Sequence, residues 1–374
     1  MRTIGNVLSL GIKELRSLGR DRLMLAFIVF AFTVSTYSAA TAIPEMLHNV
    51  PIAIVDEDRS PLSQRIIDAF YPPSFARPEL ISPAEMDSGM DAGQFTFALD
   101  LPSEMQRDLL AGRTPTVQVN VDATRMSQAF LGSGQIQAII NGEVNEFMQG
   151  HRASTTLPVE LALRARFNPE LNNAWFGGVM QVINNITMLS IILTGAALIR
   201  EREHGTVEHL LVMPVTPFEI MAAKVWSMGL VVLMAAAFSL AFIVQGALAV
   251  PIEGSVLLFL GGAVLHLFAT TSMGIFLATV GRTMPQFGLL LFLALIPLQM
   301  LSGNVTPRES MPDFVQDLML AAPNTHFVIL GQAILYRGAG FSVVWPQFAA
   351  LALIGAVLFS ISLARFRKTL GSMA

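Results

Sequence analysis

The residue types that most often perform catalysis or bind metals are scattered in this sequence. The closest pair of histidines, His204 and His209, is five positions apart and does not share a helical face well. No Ser-His-Asp set, carboxylate pair or zinc-ligand spacing is present, and neither is the G-x-x-x-x-G-K-[ST] loop that binds nucleoside triphosphates. The sequence therefore predicts a chain that is not an enzyme and binds no metal or cofactor itself.

One acidic cluster, Asp56-Glu57-Asp58, has the oxygen ligands that a cation prefers. The cluster follows a predicted strand and precedes a predicted helix that begins near Ser60 or Pro61. Acidic side chains at such a place commonly cap the helix and interact with the positive end of its dipole. We therefore favour a strand-to-helix turn over a cation site.

The composition indicates a membrane protein. Of the 374 residues, 53% are hydrophobic and only 13% are charged, against about 25% charged in soluble domains. The absence of cysteine excludes disulfides and thiolate metal sites. A formal net charge of −4 and the lack of a basic face argue against a nucleic-acid partner.

The N-terminal residues predict an interfacial helix followed by a membrane span. Over residues 1–22, apolar residues recur at helical spacing with basic residues between them, which is typical of a cytoplasmic amphipathic helix at the membrane surface. Residues 23–44 carry no charge and are long enough to cross the bilayer. A cleaved secretory signal is the alternative, but the apolar core of such signals is shorter, about 7–15 residues.

Residues 45–173 contain more charges and prolines and predict a water-facing α/β domain. Its strands are expected where apolar and polar residues alternate, and its helices where the spacing is helical. The expected elements are strand Ile52–Val55, helix Ser60–Phe70, strand Phe95–Leu99, helix Ser103–Ala111, strand Val117–Val121, helix Arg125–Gly150 and a strand or extended segment at Val159–Phe167.

Residues 174–374 predict five further membrane helices, which makes six in all. The fifth is broken by Pro285 and Pro297 and is expected to kink, and Met311–Leu320 is expected to be a short helix at the outer surface. The fold class is an α-helical polytopic membrane protein with an extracytoplasmic α/β domain inserted between the first and second spans. The charge-free runs lie within Leu171–Ile199, Val225–Ile252, Gly254–Gly281, Thr283–Pro307 and Gly338–Ala364.

Basic residues indicate the orientation of the spans. They concentrate in the N-terminal helix and in three other segments that share one side of a six-span chain. The positive-inside rule assigns that side to the cytoplasm, so both termini are expected there and the α/β domain is expected in the periplasm. The residues outside the N-terminal helix are Arg200, Arg202, Lys224, Arg282, Arg365, Arg367 and Lys368.

A charged segment between the second and third spans is the most informative part of the chain. The charges of Arg200–Glu203 precede an apolar helical stripe at Val207, Leu210 and Leu211. This pattern predicts an amphipathic elbow helix over residues 200–213 at the cytoplasmic membrane surface. The proline at 214 should end this helix, and a capping box formed by Thr216 and Glu219 should begin the next one.

This segment resembles the cytoplasmic elbow of ATP-binding-cassette (ABC) exporter permeases of the second type, the bacterial multidrug and polysaccharide exporter class. That family reads close to E-R-E-x-G-T-x-E-x-L-x-x-x-P-x-x-x-x-E. A second stretch, residues 301–340, resembles the family's outer loop before the last span. The matching elbow residues are Glu201, Arg202, Glu203, Gly205, Thr206, Glu208, Leu210, Pro214 and Glu219.

The resemblance implies a separate cytoplasmic ABC ATPase subunit that binds ATP and Mg²⁺ and docks against the elbow. The charged residues Glu201, Arg202, Glu203 and Glu208 would make the ionic contacts, the apolar stripe would fill a groove, and Gly205 would allow close approach. An interfacial helix with solvated charges is the alternative interpretation.

The resemblance also implies a half-transporter in the bacterial inner membrane. A second permease copy or a paralogue would complete the path, membrane lipid would surround it, and a periplasmic adaptor protein is a further expected partner. A lipophilic or amphiphilic compound would leave the cytoplasm or the inner leaflet by alternating access.

Polar residues within the predicted spans are few and neutral. Asn184, Asn185 and Gln299 are the candidates for lining a substrate path, because intramembrane polar groups are expected to face protein or water. Hydrogen bonding between helices, worth about 1 kcal/mol per contact, is the alternative. His266 is expected to be a packing residue rather than a proton carrier. The lack of charged residues at the span centres argues against an ion-driven carrier.

A membrane-anchored sensor or scaffold is the main alternative function. In that case the external domain would bind a ligand or partner, and the spans would conduct nothing. Such a protein would not depend on an ATPase, whereas an ABC permease would.

Overall fold

The computed structural model describes residues 2–42, 47, 49–122, 124–149, 173–203, 215–281 and 283–371. The chain divides into two compact units. The membrane unit contains Met1–Ile43 and Ala165–Ala374, and the inserted unit contains Pro44–Arg164.

The elements alternate between long apolar helices and, in the inserted unit, short strands and helices. In chain order they are α1 (Arg2–Arg20), α2 (Arg22–Thr41), β1 (Ile52–Asp56), α3 (Pro61–Asp68), β2 (Glu79–Leu80), α4 (Pro83–Asp91), β3 (Phe97–Leu101), α5 (Met105–Leu110), β4 (Gln118–Val121), α6 (Met126–Gln149), α7 (Asn173–Glu203), α8 (Pro217–Ala247), α9 (Val256–Val280), α10 (Met284–Met300), α11 (Asp313–Met319), α12 (Pro323–Tyr336) and α13 (Phe341–Gly371).

Several helices of the membrane unit are long and apolar enough to cross a bilayer. Among the described residues, five meet this condition, namely α2, α7, α8, α9 and α13. A sixth crossing results if α11 and α12, which meet at an angle of 91°, are counted as one broken span. The protein is therefore a polytopic helical membrane protein, as the sequence predicts.

The predicted fifth span needs a correction. The sequence predicts one span within residues 283–307, but α10 has only 17 residues and ends shortly after its internal Pro297. Gly303 then adopts a left-handed backbone conformation with φ of 92°, which a helix does not continue through. The short helix α11 lies within the predicted Met311–Leu320, whereas α12 was not predicted.

The second membrane helix is longer than predicted. Residues 200–203 form the last turn of α7 rather than the beginning of a separate elbow helix. No proline or glycine interrupts the chain there, and Arg200 and Arg202 interact favourably with the negative end of the helix dipole. Residues 204–214 lie outside the described part of the chain, so the amphipathic elbow after Glu203 stays a prediction.

The inserted unit contains a four-stranded sheet with the strand order β2-β1-β3-β4. Strand β1 is parallel to β2 and β3, and β4 is antiparallel to β3. Side chains alternate between the two faces, so Ile52 and Ile54 pack beneath α3, α5 and α6, while Ala53 packs beneath α4. Strands β1 and β4 lie within one residue of the predicted bounds, and β3 begins and ends two residues later than predicted. Strand β2 and helix α4 were not predicted, and Val159–Phe167 is outside the described residues.

The acidic cluster after β1 forms a turn. Asp56 Oδ1 accepts a hydrogen bond from the Arg59 N–H at 2.9 Å, and its Oδ2 accepts one from the Ser63 hydroxyl at 3.0 Å. Asp58 accepts from the Gln106 N–H at 3.2 Å and from the Ser60 hydroxyl. These bonds fix the start of α3, and no cluster of metal-ligating side chains occurs within the described ranges.

Candidate functional site

Helix α1 lies against the start of α8. The indole N–H of Trp226 donates a hydrogen bond to the Val7 carbonyl oxygen at 3.2 Å. A Cβ atom at Gly11 would lie only 2.1 Å from the Trp226 ring, so glycine is what allows the two helices to approach this closely. Ile4, Leu8 and Ile12 of α1 are exposed. Helix α1 is therefore attached to the protein through Val7 and Gly11 and also carries apolar side chains that can meet lipid.

Four charged side chains from three helices meet beside this contact. Lys224 of α8 lies 2.9 Å from Glu14 Oε1 of α1 and 2.7 Å from Glu201 Oε2 of α7. Lys13 of α1 lies 2.8 Å from Glu201 Oε1. The side chain of Lys224 is 2% exposed and that of Glu14 is 8% exposed, so charges this deeply buried require their partners. We call Lys13, Glu14, Glu201 and Lys224 the ion cluster.

The ion cluster is in contact with water at Lys13, whose side chain is half-exposed. The pKa of Lys13 lies above its ordinary value. Burial lowers this pKa, but the hydrogen bond to Glu201 and the negative charges of Glu201 and Glu14 together raise it by more. Nearby, Arg200 lies 2.6 Å from Asp21, which joins α7 to the residue before α2. The hydrogen bond from the Met24 N–H holds the pKa of Asp21 below its usual range, and the Arg200 guanidinium adds to this effect.

Two other predicted elbow residues bond within the chain. Glu203 Oε1 accepts a hydrogen bond from the Met284 N–H at 2.9 Å and so caps α10. Glu219 forms the predicted capping box with Thr216, in which the Thr216 N–H donates to Glu219 Oε2 at 2.7 Å. The amide of Asn6 also donates to Glu219 at 3.3 Å, so this residue is a further point where α1 is attached.

The predicted elbow is only partly within the described residues. Arg202 lies half-buried in the last turn of α7, beside Glu201 and Glu203. The remaining predicted residues, Gly205, Thr206, Val207, Glu208, Leu210, Leu211 and Pro214, lie outside the described part of the chain.

A second buried cluster, which is neutral, lies further along α7. The Thr187 hydroxyl is 2.9 Å from His266 Nε2 of α9 and donates to Asn324 Oδ1 of α12 at 2.7 Å. The Asn324 amide in turn donates to Ser302 Oγ at 2.8 Å and to the Leu298 carbonyl at 2.7 Å. We call Thr187, His266, Ser302 and Asn324 the neutral cluster. Its bonds attach the start of α12 to three other parts of the membrane unit.

The predicted path residues have different surroundings. The Asn185 amide donates to the Ala31 carbonyl at 2.6 Å, at the start of a π-helical turn of α2. The same oxygen accepts a hydrogen bond from the Thr36 hydroxyl at 3.0 Å, and Asn185 is 1% exposed. Asn185 therefore has the helix-to-helix bond that was the alternative interpretation. Asn184 is half-buried, and its Oδ1 has no hydrogen-bond partner among the described residues. Gln299 of α10 is also half-buried.

The ion cluster is what the sequence analysis missed. Lys224 was used only to infer orientation, and Glu14 was not considered. The available signal was the placement of Glu14 between Leu10 and Leu18 at four-residue spacing, on the face of α1 that packs against the protein. The cluster joins α1 to the end of α7 and the start of α8, the two helices that flank residues 204–214 in the chain.

Comparison with known proteins extends over most of the chain. The sequence model for ABC-2 family transporter proteins matches residues 23–364. The chain is 64% identical to the inner membrane transport permease YhhJ of Escherichia coli (strain K12) over 374 residues, which is 100% of both chains. It is 28% identical over 359 residues to the probable multidrug ABC transporter permease YbhR of the same organism, covering 95% of this chain and 96% of the relative. It is 27% identical over 373 residues to the probable multidrug ABC transporter permease YbhS, covering 94% of each chain.

Proposed function

The chain belongs to the ABC-2 transporter family and is a multi-pass membrane permease, and we propose that it is the membrane subunit of an ATP-driven exporter. The ATPase would be a separate cytoplasmic subunit that binds ATP and Mg²⁺, since this sequence has no phosphate loop. Binding and hydrolysis on that subunit would alternate the access of a path between the two sides of the membrane.

The ion cluster is the observation that carries this proposal. It ties the end of α7 and the start of α8 to α1, so these helix ends would move together when a partner pushes on residues 204–214. Because Glu201 and Glu219 are largely buried within the chain, they would position the elbow rather than contact the ATPase. Glu203 caps α10 through one carboxylate oxygen but is exposed, so it would remain accessible to a partner. Arg202, Glu203 and Glu208 would make the ionic contacts, and Val207, Leu210 and Leu211 the apolar ones.

A lipophilic or amphiphilic compound is the proposed cargo. The polar side chains bonded at the middle of the helices are neutral, so the unit offers no charged group there to a charged compound. The relatives YbhR and YbhS carry names of multidrug permeases, which supports a cargo of this class. Asn184 and Gln299, which are half-buried, are the proposed path residues, and Asn185 would act by holding α7 to α2.

The partners and orientation follow from the same proposal. Both termini would lie in the cytoplasm of a bacterial cell with the protein in its inner membrane, because the basic residues concentrate on that side. A second copy or a paralogue would complete the path within the membrane lipid. The unit formed by residues 44–164 would then be periplasmic and is the proposed contact for an adaptor protein.

Association with an ATPase tests the proposed function. A candidate ABC ATPase is co-expressed with this chain, purified with it in lipid nanodiscs and assayed for ATP hydrolysis. We expect co-purification and altered hydrolysis, both lost when Glu203 and Glu208 are changed to Lys, because reversed charges repel the groups that bound the acids. The control Glu253→Lys reverses an exposed charge between α8 and α9 and should retain both properties.

The test also separates the alternative function. Loss of the ATPase in the double variant but not in the control supports docking at the elbow. Retention of the ATPase in the double variant would contradict this docking site. If no ABC ATPase associates with the unaltered chain, the membrane-anchored sensor or scaffold becomes the better interpretation.

A further inference from the structure

A groove of about 550 Å³ lies in the inserted unit, apart from the two clusters described above. One wall is β4 and the residue before it, whose side chains Val117, Val119 and Val121 share one face of the strand. The other wall is α6, and α5 contributes Met105 and Leu109. The volume falls within the range of about 300–1,000 Å³ that is usual for small-molecule sites.

Among the described residues, the edge of the sheet at β4 is incompletely covered. Strand β4 is at the end of the strand order, and no strand of the described residues lies on its outer side. Helix α6 packs on the core of the sheet through Ile136, which is fully buried, but leaves Val117 and the two valines of β4 only half-buried. Contact between the apolar side chains of an open groove and water is unfavourable by about 25 cal/mol per Å² of apolar surface. An apolar occupant would remove this contact.

The polar side chains of the groove indicate the chemistry of the occupant. Ser133, Gln137 and Asn141 of α6 line it at four-residue spacing and therefore form a row along one side of the helix. They face the valine wall, and none of the residues that line the groove is ionisable. A charged ligand would lose its hydration here without gaining a counter-charge, which disfavours it.

We propose that this groove binds a small, uncharged amphiphile. Its apolar body would pack against Val117, Val119 and Val121, and a hydroxyl, carbonyl or amide group would bond to Gln137 and Asn141. The occupant need not be the transported compound, so the inference is independent of the proposed transport function. An extended peptide that adds to the free edge of β4 is the competing occupant, and the test below distinguishes it.

Photolabelling of the full chain in lipid nanodiscs tests the proposal. The probe is 3-azioctanol, an uncharged alcohol with a photoreactive diazirine, and labelled peptides are mapped by mass spectrometry with and without excess octanol. We expect label in residues 117–121 and 137–144 that excess octanol suppresses. Asn141→Trp fills the groove from the helix side and should reduce this label at least about fivefold. Ala138→Trp is the control, because Ala138 is exposed on the same helix but does not line the groove.

A second pair of variants approaches the groove from the strand. Val119→Trp should reduce the label as Asn141→Trp does, whereas Gln118→Trp, on the other face of β4, should leave it unchanged. Label is compared only between variants that are recovered as monodisperse protein in equal yield. If a variant of one pair misfolds, the other pair still tests the proposal. The proposal would be overturned if no label is suppressed by octanol, or if the control variants lose as much label as the groove variants. It would also be overturned if a co-purifying protein covers β4 while the free chain is unlabelled.

Discussion

The ion cluster and the neutral cluster join the same helix, α7, to the rest of the membrane unit by different chemistry. The ion cluster contains two lysines and two glutamates near the end of α7, at Glu201. The neutral cluster is bonded to Thr187, near the middle of the same helix, and contains hydroxyl, imidazole and amide groups. Both clusters connect residues that are far apart in the sequence, and both are buried.

The difference follows from the position of each cluster along the helix. A charge at the middle of a membrane helix is costly even when it is paired, whereas long basic side chains near helix ends reach the interface. Lys13 is half-exposed and Arg200 is partly exposed, so the ion cluster has basic side chains near helix ends that reach water. Strong, charge-dependent attachment is therefore placed beside the predicted elbow, and weaker neutral attachment within the membrane region.

Removing the central cation should have the largest effect. Lys224→Met leaves Glu14 and Glu201 buried and removes the cation that bridges them, so we expect the free energy of unfolding to fall by about 3–5 kcal/mol. Chemical unfolding in mixed micelles measures this change. Lys368→Met removes an exposed lysine near the end of α13 and should change stability little.

A double variant sharpens this prediction. Adding Glu14→Met to Lys224→Met removes one of the two stranded acids and leaves Glu201 with Lys13. The double variant should therefore be less destabilised than the sum of the single variants, because the two residues act as a pair. Additive effects would show that Lys224 and Glu14 do not depend on each other, and the ion cluster would then not be a unit.

Separating α1 from α8 should have the next largest effect. Gly11→Leu places a side chain where the Trp226 ring lies, and forced repacking of this kind costs about 1–3 kcal/mol. The shift of α1 should also weaken the contacts of Glu14, so combining Gly11→Leu with Lys224→Met should be less than additive. Gly5→Leu is the control, because no atom outside its own helix lies within 4 Å of a Cβ atom there. Equal thermal midpoints for the two glycine variants would contradict the packing described here.

Local signals were enough to predict the helices that flank these clusters. The charge-free run after Arg22 predicted α2, and Thr216 with Glu219 predicted the first turn of α8, because apolar length and capping depend on neighbouring residues only. The break at Pro297 was recognised, but the end of α10 and the start of α12 were not, since Asn324 is bonded to residues of two distant segments, α7 and the end of α10.

The clusters themselves could not be predicted by such rules. Lys224 meets Glu14 across 210 positions of the chain, and no spacing rule for helices extends over that distance. Glu14 on an apolar stripe indicates that a partner is needed, but not which one. Among the path candidates, the sequence could not separate Asn185 from Asn184, because the partner of Asn185, the Ala31 carbonyl, lies 154 positions away in α2.

Breaking the neutral cluster should have a smaller effect than breaking the ion cluster. Thr187→Val retains the shape of the side chain but removes the hydroxyl that contacts His266 and Asn324. Hydrogen bonds between membrane helices contribute about 0.6 kcal/mol on average and up to about 1.7 kcal/mol, so we expect a loss in this range. Thr41→Val is the control, since the exposed Thr41 hydroxyl donates to the Tyr37 carbonyl of its own helix and, within the described part of the chain, to no other helix. A loss as large as that of Lys224→Met would remove the distinction between the two clusters.

The partly buried ion pair at Asp21 should have the smallest effect, and its effect should depend on pH. The folded-state pKa of Asp21 is below its ordinary value, so its charge stabilises the protein above the unfolded pKa of about 3.9. This contribution is lost as the pH falls through the folded pKa.

Asp21→Asn retains an acceptor for the Met24 N–H but loses the charge that pairs with Arg200, and we expect this to lower the free energy of unfolding by at most about 1 kcal/mol at neutral pH. The thermal midpoints of variant and parent should differ slightly at pH 7 and converge as the pH falls below about 4. Glu253→Gln, at an exposed acid, should show no such convergence, and a pH-independent difference at Asp21 would mean that its packing rather than its charge joins α7 to the start of α2.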